Sequence, residues 1–190
     1  MNKNLLLKSV LALAVASPLL ASAESDLTVG AGSATAKLNL RIVIPRVLFL
    51  GVGTGSGTPL ADNNTVDEIA FDYTANPLAV GAGAGSPASS ITNGGVVPVR
   101  VYGNDGQITI TATNPTNLTS GTDTIAFSDL SVSSSSAALP APAFDGGTSL
   151  PTVAGRVTNQ TANWTYSYAN TATPAFGAYT GTVTYTATMP

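Results

Sequence analysis

Asp62, Asp67, Glu68 and Asp72 form the densest group of carboxylates in the chain. Hard divalent cations take oxygen ligands of this kind, but a calcium loop of the EF-hand type turns on a central glycine, and residues 62–72 contain none. The spacing therefore predicts a solvated acidic stretch. Gly51-Val52-Gly53-Thr54-Gly55 has the glycine density of a phosphate-cradling loop, yet it lacks the lysine and the following helix that such a loop needs, and it reads as a turn. Trp164, Tyr166 and Tyr168 fall on one face at strand spacing. They could stack on a sugar ring, although an aromatic row of this kind is more often core. Asn63, Asn117, Asn159 and Asn163 each head an Asn-x-Ser/Thr triplet, as chance supplies in a chain so rich in threonine. Histidine and cysteine are both absent, which removes imidazole bases, thiolate nucleophiles and the usual zinc ligands. No carboxylate pair is placed for acid-base work, so no catalytic residue, metal or cofactor is expected, and a hydrolase is a weak alternative. Lys37 is the only lysine after residue 8, and an internal Lys–Asn crosslink would have to run through it.

The elements that would position any chemistry are strands, and two of them dominate. From Gly177 to Pro190 the chain alternates strictly: Tyr179, Gly181, Val183, Tyr185, Ala187 and Met189 on one side, Thr180, Thr182, Thr184, Thr186 and Thr188 on the other. Successive strand side chains point to opposite faces, so this is a β-strand with one apolar and one threonine face, running to the last residue. Near the other end Ala36, Leu38, Leu40, Ile42 and Ile44 alternate with Lys37, Asn39 and Arg41, which predicts a strand over Thr35–Ile44. Pro45 interrupts it, because proline lacks a ladder N–H and restricts the residue before it.

Residues 1–23 read as an export signal: Lys3 and Lys8 precede an apolar run over Ser9–Leu20, and Ala21-Ser22-Ala23 fits a signal-peptidase site. Two of the 7 Lys or Arg fall in that leader, which leaves 5 against 10 Asp or Glu, so the remainder carries a charge of about −5. That balance argues against nucleic acid and anionic lipid as partners, and no membrane insertion is expected once the leader is removed. Alternating strands also raise a small outer-membrane barrel, but aromatic girdles and regular ten-residue segments are missing. The expected domains are 1–23 signal peptide, 24–45 N-terminal extension and 46–190 body, a single β-sandwich without a disulfide staple.

Within the body, strands are predicted at Val47–Leu50, Val66–Tyr73, Val96–Tyr102, Gln107–Thr113, Thr124–Val132 and Asn163–Tyr168, with a weaker one at Thr152–Asn159. Gly103-Asn104-Asp105-Gly106 is a strong hairpin signal between Val96–Tyr102 and Gln107–Thr113. Asn163–Tyr168 and the terminal strand are expected to pair as a second hairpin, and Pro77–Asn93 reads as a long exposed loop. Seven to nine strands spaced by turn clusters predict an all-β, immunoglobulin-like sandwich.

These features together resemble the major subunits of bacterial chaperone-usher pili, especially the cysteine-free, alpha-type fimbrial pilins. The residues that carry the resemblance are Ala36 to Ile44 followed by Pro45, and Gly177 to Tyr185, with Gly177 fourteenth from the end. The chain departs from the wider class by ending Met189-Pro190 where a penultimate tyrosine is common. The resemblance implies an incomplete immunoglobulin-like sandwich with an N-terminal donor strand extension. Ala36, Leu38, Leu40, Ile42 and Ile44 would be donor side chains. Gly177, Tyr179, Val183, Tyr185 and Met189 would lie on the C-terminal strand that walls the acceptor groove and is recognised by a periplasmic chaperone. It further implies a homopolymer of identical subunits assembled through an outer-membrane usher, and a final location in a cell-surface fimbrium after export through the periplasm. The alternative is a monomeric secreted β-sandwich that binds a glycan or host surface, in which Thr35–Ile44 pairs within its own chain.

Overall fold

A computed structural model describes residues 24–57, 60–114 and 116–190, so the export-signal expectation over residues 1–23 lies outside the described residues. The chain divides after Ile44 into two units. In the first, residues 24–44 carry no strand; Thr28 bonds the carbonyl of Ser33 and Lys37 pairs with Glu24. The second, Pro45–Pro190, is an all-β sandwich.

Its strands are β1 (Leu48–Val52), β2 (Phe71–Asp72), β3 (Ser90–Ile91), β4 (Val96–Gly103), β5 (Thr109–Thr113), β6 (Asn117–Ser120), β7 (Asp123–Ala126), β8 (Leu130–Ser134), β9 (Thr148–Ser149), β10 (Thr158–Tyr168) and β11 (Thr184–Thr188). One sheet runs β1-β4-β10-β8 and the facing sheet β11-β5-β9, with every named pairing antiparallel. The alternation of apolar and polar residues explains which faces meet. Val97, Val99 and Val101 of β4, Ile108 and Ile110 beside and on β5, Trp164 of β10 and Leu139 form the buried core. The threonines of β5 and β11 pair on the outer face, Thr109 with Thr188, Thr111 with Thr186 and Thr113 with Thr184. Cross-strand threonine pairs of this kind each stabilise a sheet by roughly 0.2–1 kcal/mol. Pro98 is tolerated in β4 because pairing with β1 ends at Val99, so at Pro98 the strand has a neighbour on one side only.

Several local expectations are corrected. Gly103–Gly106 does not close a hairpin: β4 and β5 lie in different sheets. Each strand has its own buried face, and the two faces oppose one another across the core, with Ile108 packed against Gly103. A glycine-asparagine turn serves an arch between sheets as well as a hairpin within one. The expected β10–β11 hairpin is likewise a contact between sheets, since β10 pairs with β4 and β8, and β11 with β5. The terminal strand is shorter than its alternation suggests. It is ladder-paired only over Thr184–Thr188, with one isolated bridge from Thr180 to Thr119, because its partner is interrupted between β5 and β6. Thr124–Val132 breaks at a 3-10 turn, Phe127–Asp129, which carries the chain from β7 to β8. Val66–Tyr73 contributes only β2, and Thr152–Asn159 contributes the bridge Ala154–Val157 and the start of β10. Thr35–Ile44 forms no strand: the residues alternate correctly, but among the described residues no strand pairs with them.

The order of the strands carries more information than their number. A constant-type immunoglobulin sandwich has seven strands, A-B-E-D in one sheet and C-F-G in the other. Here β1, β4, β10 and β8 occupy the A-B-E-D positions, and β5 and β11 the C and F positions. Among the described residues β11 has β5 as its one ladder partner, so no strand stands at the G position.

Candidate functional site

The edge that a G strand would cover lies between β1 and β11, which border the two sheets on the same flank of the body. On β1 the inward row is Leu48, Leu50 and Val52; Leu50 and Val52 pack against the core, and Leu48 remains 40% exposed. Tyr185, Ala187 and Met189 line the opposite side and also pack against the core. The strip between them is apolar, and among the described residues its two bordering strands each have one unpaired edge. Such edges are costly and template the addition of another strand.

Tyr185 anchors the β11 wall. Its ring lies 5.1 Å from that of Trp164, and its hydroxyl is 2.9 Å from the hydroxyl of Tyr166, so one pair of phenols links the two sheets. Burial pushes both phenols above the ordinary tyrosine range, and for Tyr185 the facing Tyr166 adds to the shift. Trp164 is fully buried and donates its indole N–H to Leu139 O at 3.3 Å, which makes the aromatic row core rather than a surface platform.

The other C-terminal site residues precede β11. Val183 precedes β11 and is half-buried, and Tyr179 donates its hydroxyl to Ala175 O at 2.7 Å. Gly177 sits outside any strand, against Ser120, and a side chain there would collide with the serine. Gly181 is similarly close to Leu118 and Phe127. In the first unit Leu38, Leu40, Ile42 and Ile44 are 79, 85, 87 and 77% exposed, and Ala36 is exposed too.

One end of the strip is closed by a polar cluster that sequence reasoning assigned to a simple turn. Asn104 Nδ2 donates to Pro45 O at 2.8 Å, Asn104 Oδ1 accepts from Val47 N at 2.8 Å, and the backbone N–H of Asn104 donates to Val47 O at 3.3 Å. Arg46 Nη2 donates to Met189 O at 2.9 Å, joining the root of β1 to the end of β11. Asp105 sits between two cations: Arg46 Nε is 3.4 Å from Asp105 Oδ2, and Arg156 bonds Asp105 Oδ1. The hydrogen bond from Arg156 holds the Asp105 carboxyl below the usual range, assisted by the charges of Arg156 and Arg46. The signal available in the sequence was scarcity, because the body contains only Arg46, Arg100 and Arg156 as cations.

The acidic stretch is engaged locally. Asp67 accepts from the backbone and hydroxyl of Thr54, which closes the 3-10 turn at Gly53–Ser56, and Asp72 accepts from Thr74. Separately, a cleft of about 520 Å³ opens on the far flank, where Phe127, Phe144, Leu130 and Val132 meet Ser128, Ser131 and Asp145. Comparison of the chain with models of protein families, with curated proteins and with solved structures found no match.

Proposed function

We propose that this chain is a structural pilin subunit that polymerises into surface fimbriae by donor-strand exchange. The observation that carries the reading is the strand order: an A-B-E-D sheet facing C and F, with the outer edge of β11 unpaired in the position of G. The chain also carries an alternating apolar segment, Ala36 to Ile44, whose large side chains are exposed. Nine residues from Ala36 to Ile44 span about 30 Å when extended, which exceeds β11 and reaches toward Thr180. Inserted between β1 and β11 of a second copy, Leu38, Leu40, Ile42 and Ile44 would leave water and the backbone would satisfy both edges. A head-to-tail contact of this kind does not close on itself and builds a filament. Before assembly the same edge is an aggregation hazard, which is the role for a periplasmic chaperone, with an outer-membrane usher as the site of exchange. The polymer supports adhesion or biofilm formation.

The test compares the chain from Glu24 onward with its Leu38→Asp/Ile42→Asp variant by size-exclusion chromatography and negative-stain microscopy. SDS-resistant multimers or fibres that the variant cannot form support the reading; equal multimers from both sink it. A second reading, a sandwich that binds a glycan, is favoured by the far-flank cleft, whose aromatic and hydroxyl lining and single carboxylate suit a neutral sugar.

A further inference from the structure

We propose that Pro45, Arg46 and Asn104 form a latch that denies the groove to the chain's own N-terminal segment and reserves it for a second copy of this chain. This inference rests on the donor-strand reading above and adds a choice that the reading leaves open, whether insertion occurs within one chain or between two.

The physical problem is local concentration. Residues 36–44 are joined to β1 through only Pro45, Arg46 and Val47. A tethered segment that fits a site on its own body competes with the same segment on a neighbour at a large advantage in effective concentration. Without a barrier, self-insertion would produce stable monomers and no filament.

The barrier follows from direction. Arg46, just before β1, touches Met189, just after β11, so β1 leaves this end of the groove while β11 arrives at it. Residues 36–44 could lie in their own groove only if the chain reversed within Pro45–Val47 to run back beside β1. A two-residue hairpin with the twist of adjoining strands requires positive φ at its first central residue, where Pro45 would stand, and proline is locked near −65°. A wider reversal would need Pro45 and Val47 free. Asn104 instead holds Pro45 O, Val47 N and Val47 O, so this root continues the line of β1 along the end of β4. Arg46 reaches across the same end to Met189 O and is braced by Asp105, which pins the root of β1 and leaves the tether no slack to reverse. A strand from a second copy is not tied to that root and can enter from the Tyr179 end.

The experiment uses the chain from Glu24 to Pro190 and two variants. Arg46→Ala/Asn104→Ala removes the latch. The second variant inserts Gly-Ser-Asn-Gly between Ile44 and Pro45, which supplies slack and a hairpin turn and leaves every latch side chain in place. Size-exclusion chromatography with light scattering gives the monomer-to-multimer ratio, and trypsin reports on Lys37 and Arg41. Either variant, if folded by circular dichroism, is expected to raise the monomer fraction at least tenfold, and those monomers are expected to resist cleavage at Lys37 and Arg41. Folded variants as multimeric as the parent, or monomers cleaved as fast as an unprotected peptide, overturn the latch. Leu38→Asp/Ile42→Asp in the parent separates the two levels. If it leaves multimers intact, or the parent forms none, the donor-strand reading itself fails and the latch falls with it. If it abolishes them while both latch variants behave as the parent, only the latch is wrong.

Discussion

Leu40→Ala distinguishes a donor side chain from an ordinary surface residue by what it leaves unchanged. Leu40 is 85% exposed in the free chain, so its truncation should alter the melting of the body by no more than about 0.5 kcal/mol. Buried in a neighbour's groove, the same side chain would lose three carbons' worth of transfer free energy. At about 0.8 kcal/mol for each, that is roughly 2.4 kcal/mol, or about a 50-fold weaker contact. Asn39 is the control, because it projects to the opposite face and its truncation should change affinity by less than about threefold. The assay is fluorescence anisotropy of labelled peptides covering residues 34–44, wild-type, Leu40→Ala and Asn39→Ala, titrated with the body from Pro45, which contains the whole core. Equal losses from both substitutions would refute the alternating insertion. So would a wild-type peptide that fails to bind while the body is folded.

Three further outcomes follow from the body itself. Asn170 is buried, has φ 53°, accepts from Gly81 N and donates to Ala79 O and Ser86 O, so Asn170→Gly should keep the backbone yet cost about 2–4 kcal/mol, read as a fall in Tm of roughly 5–15 °C. The raised phenols of Tyr166 and Tyr185 favour the neutral form in the folded state; stability is intact below the unfolded tyrosine pKa of about 10 and falls as pH rises above it, and the Tyr166→Phe/Tyr185→Phe variant should lose less stability between pH 9 and 12 in urea titrations. The depressed carboxyl of Asp105 works in the other direction: its contribution is present above the unfolded value near 3.9 and disappears as pH falls through the lower folded value, so Asp105→Asn should flatten the acid limb of the stability curve below about pH 4.

The sequence by itself determined the class of fold and the face that each long strand buries. Period-two alternation is a local property, and it marked Val97 to Val101, Ile108 to Ala112 and Tyr185 to Met189 as one-sided without reference to any partner. It also marked Leu38, Leu40, Ile42 and Ile44 as a face that needs covering, although their exposed placement shows that alternation without a partner does not make a strand. Partner choice was decided only in three dimensions. Gly103–Gly106 turns the chain equally well within a sheet or between two, and what sent β5 across to the facing sheet was the burial of both strand faces against one another. The same non-local burial separated β10 from β11 and placed Tyr166 and Tyr185 hydroxyl to hydroxyl across the core. The latch was illegible for a related reason. Arg46 and Met189 stand 143 residues apart in the chain, and neither residue type nor spacing brings them together; the antiparallel run of β1 and β11 along one flank does.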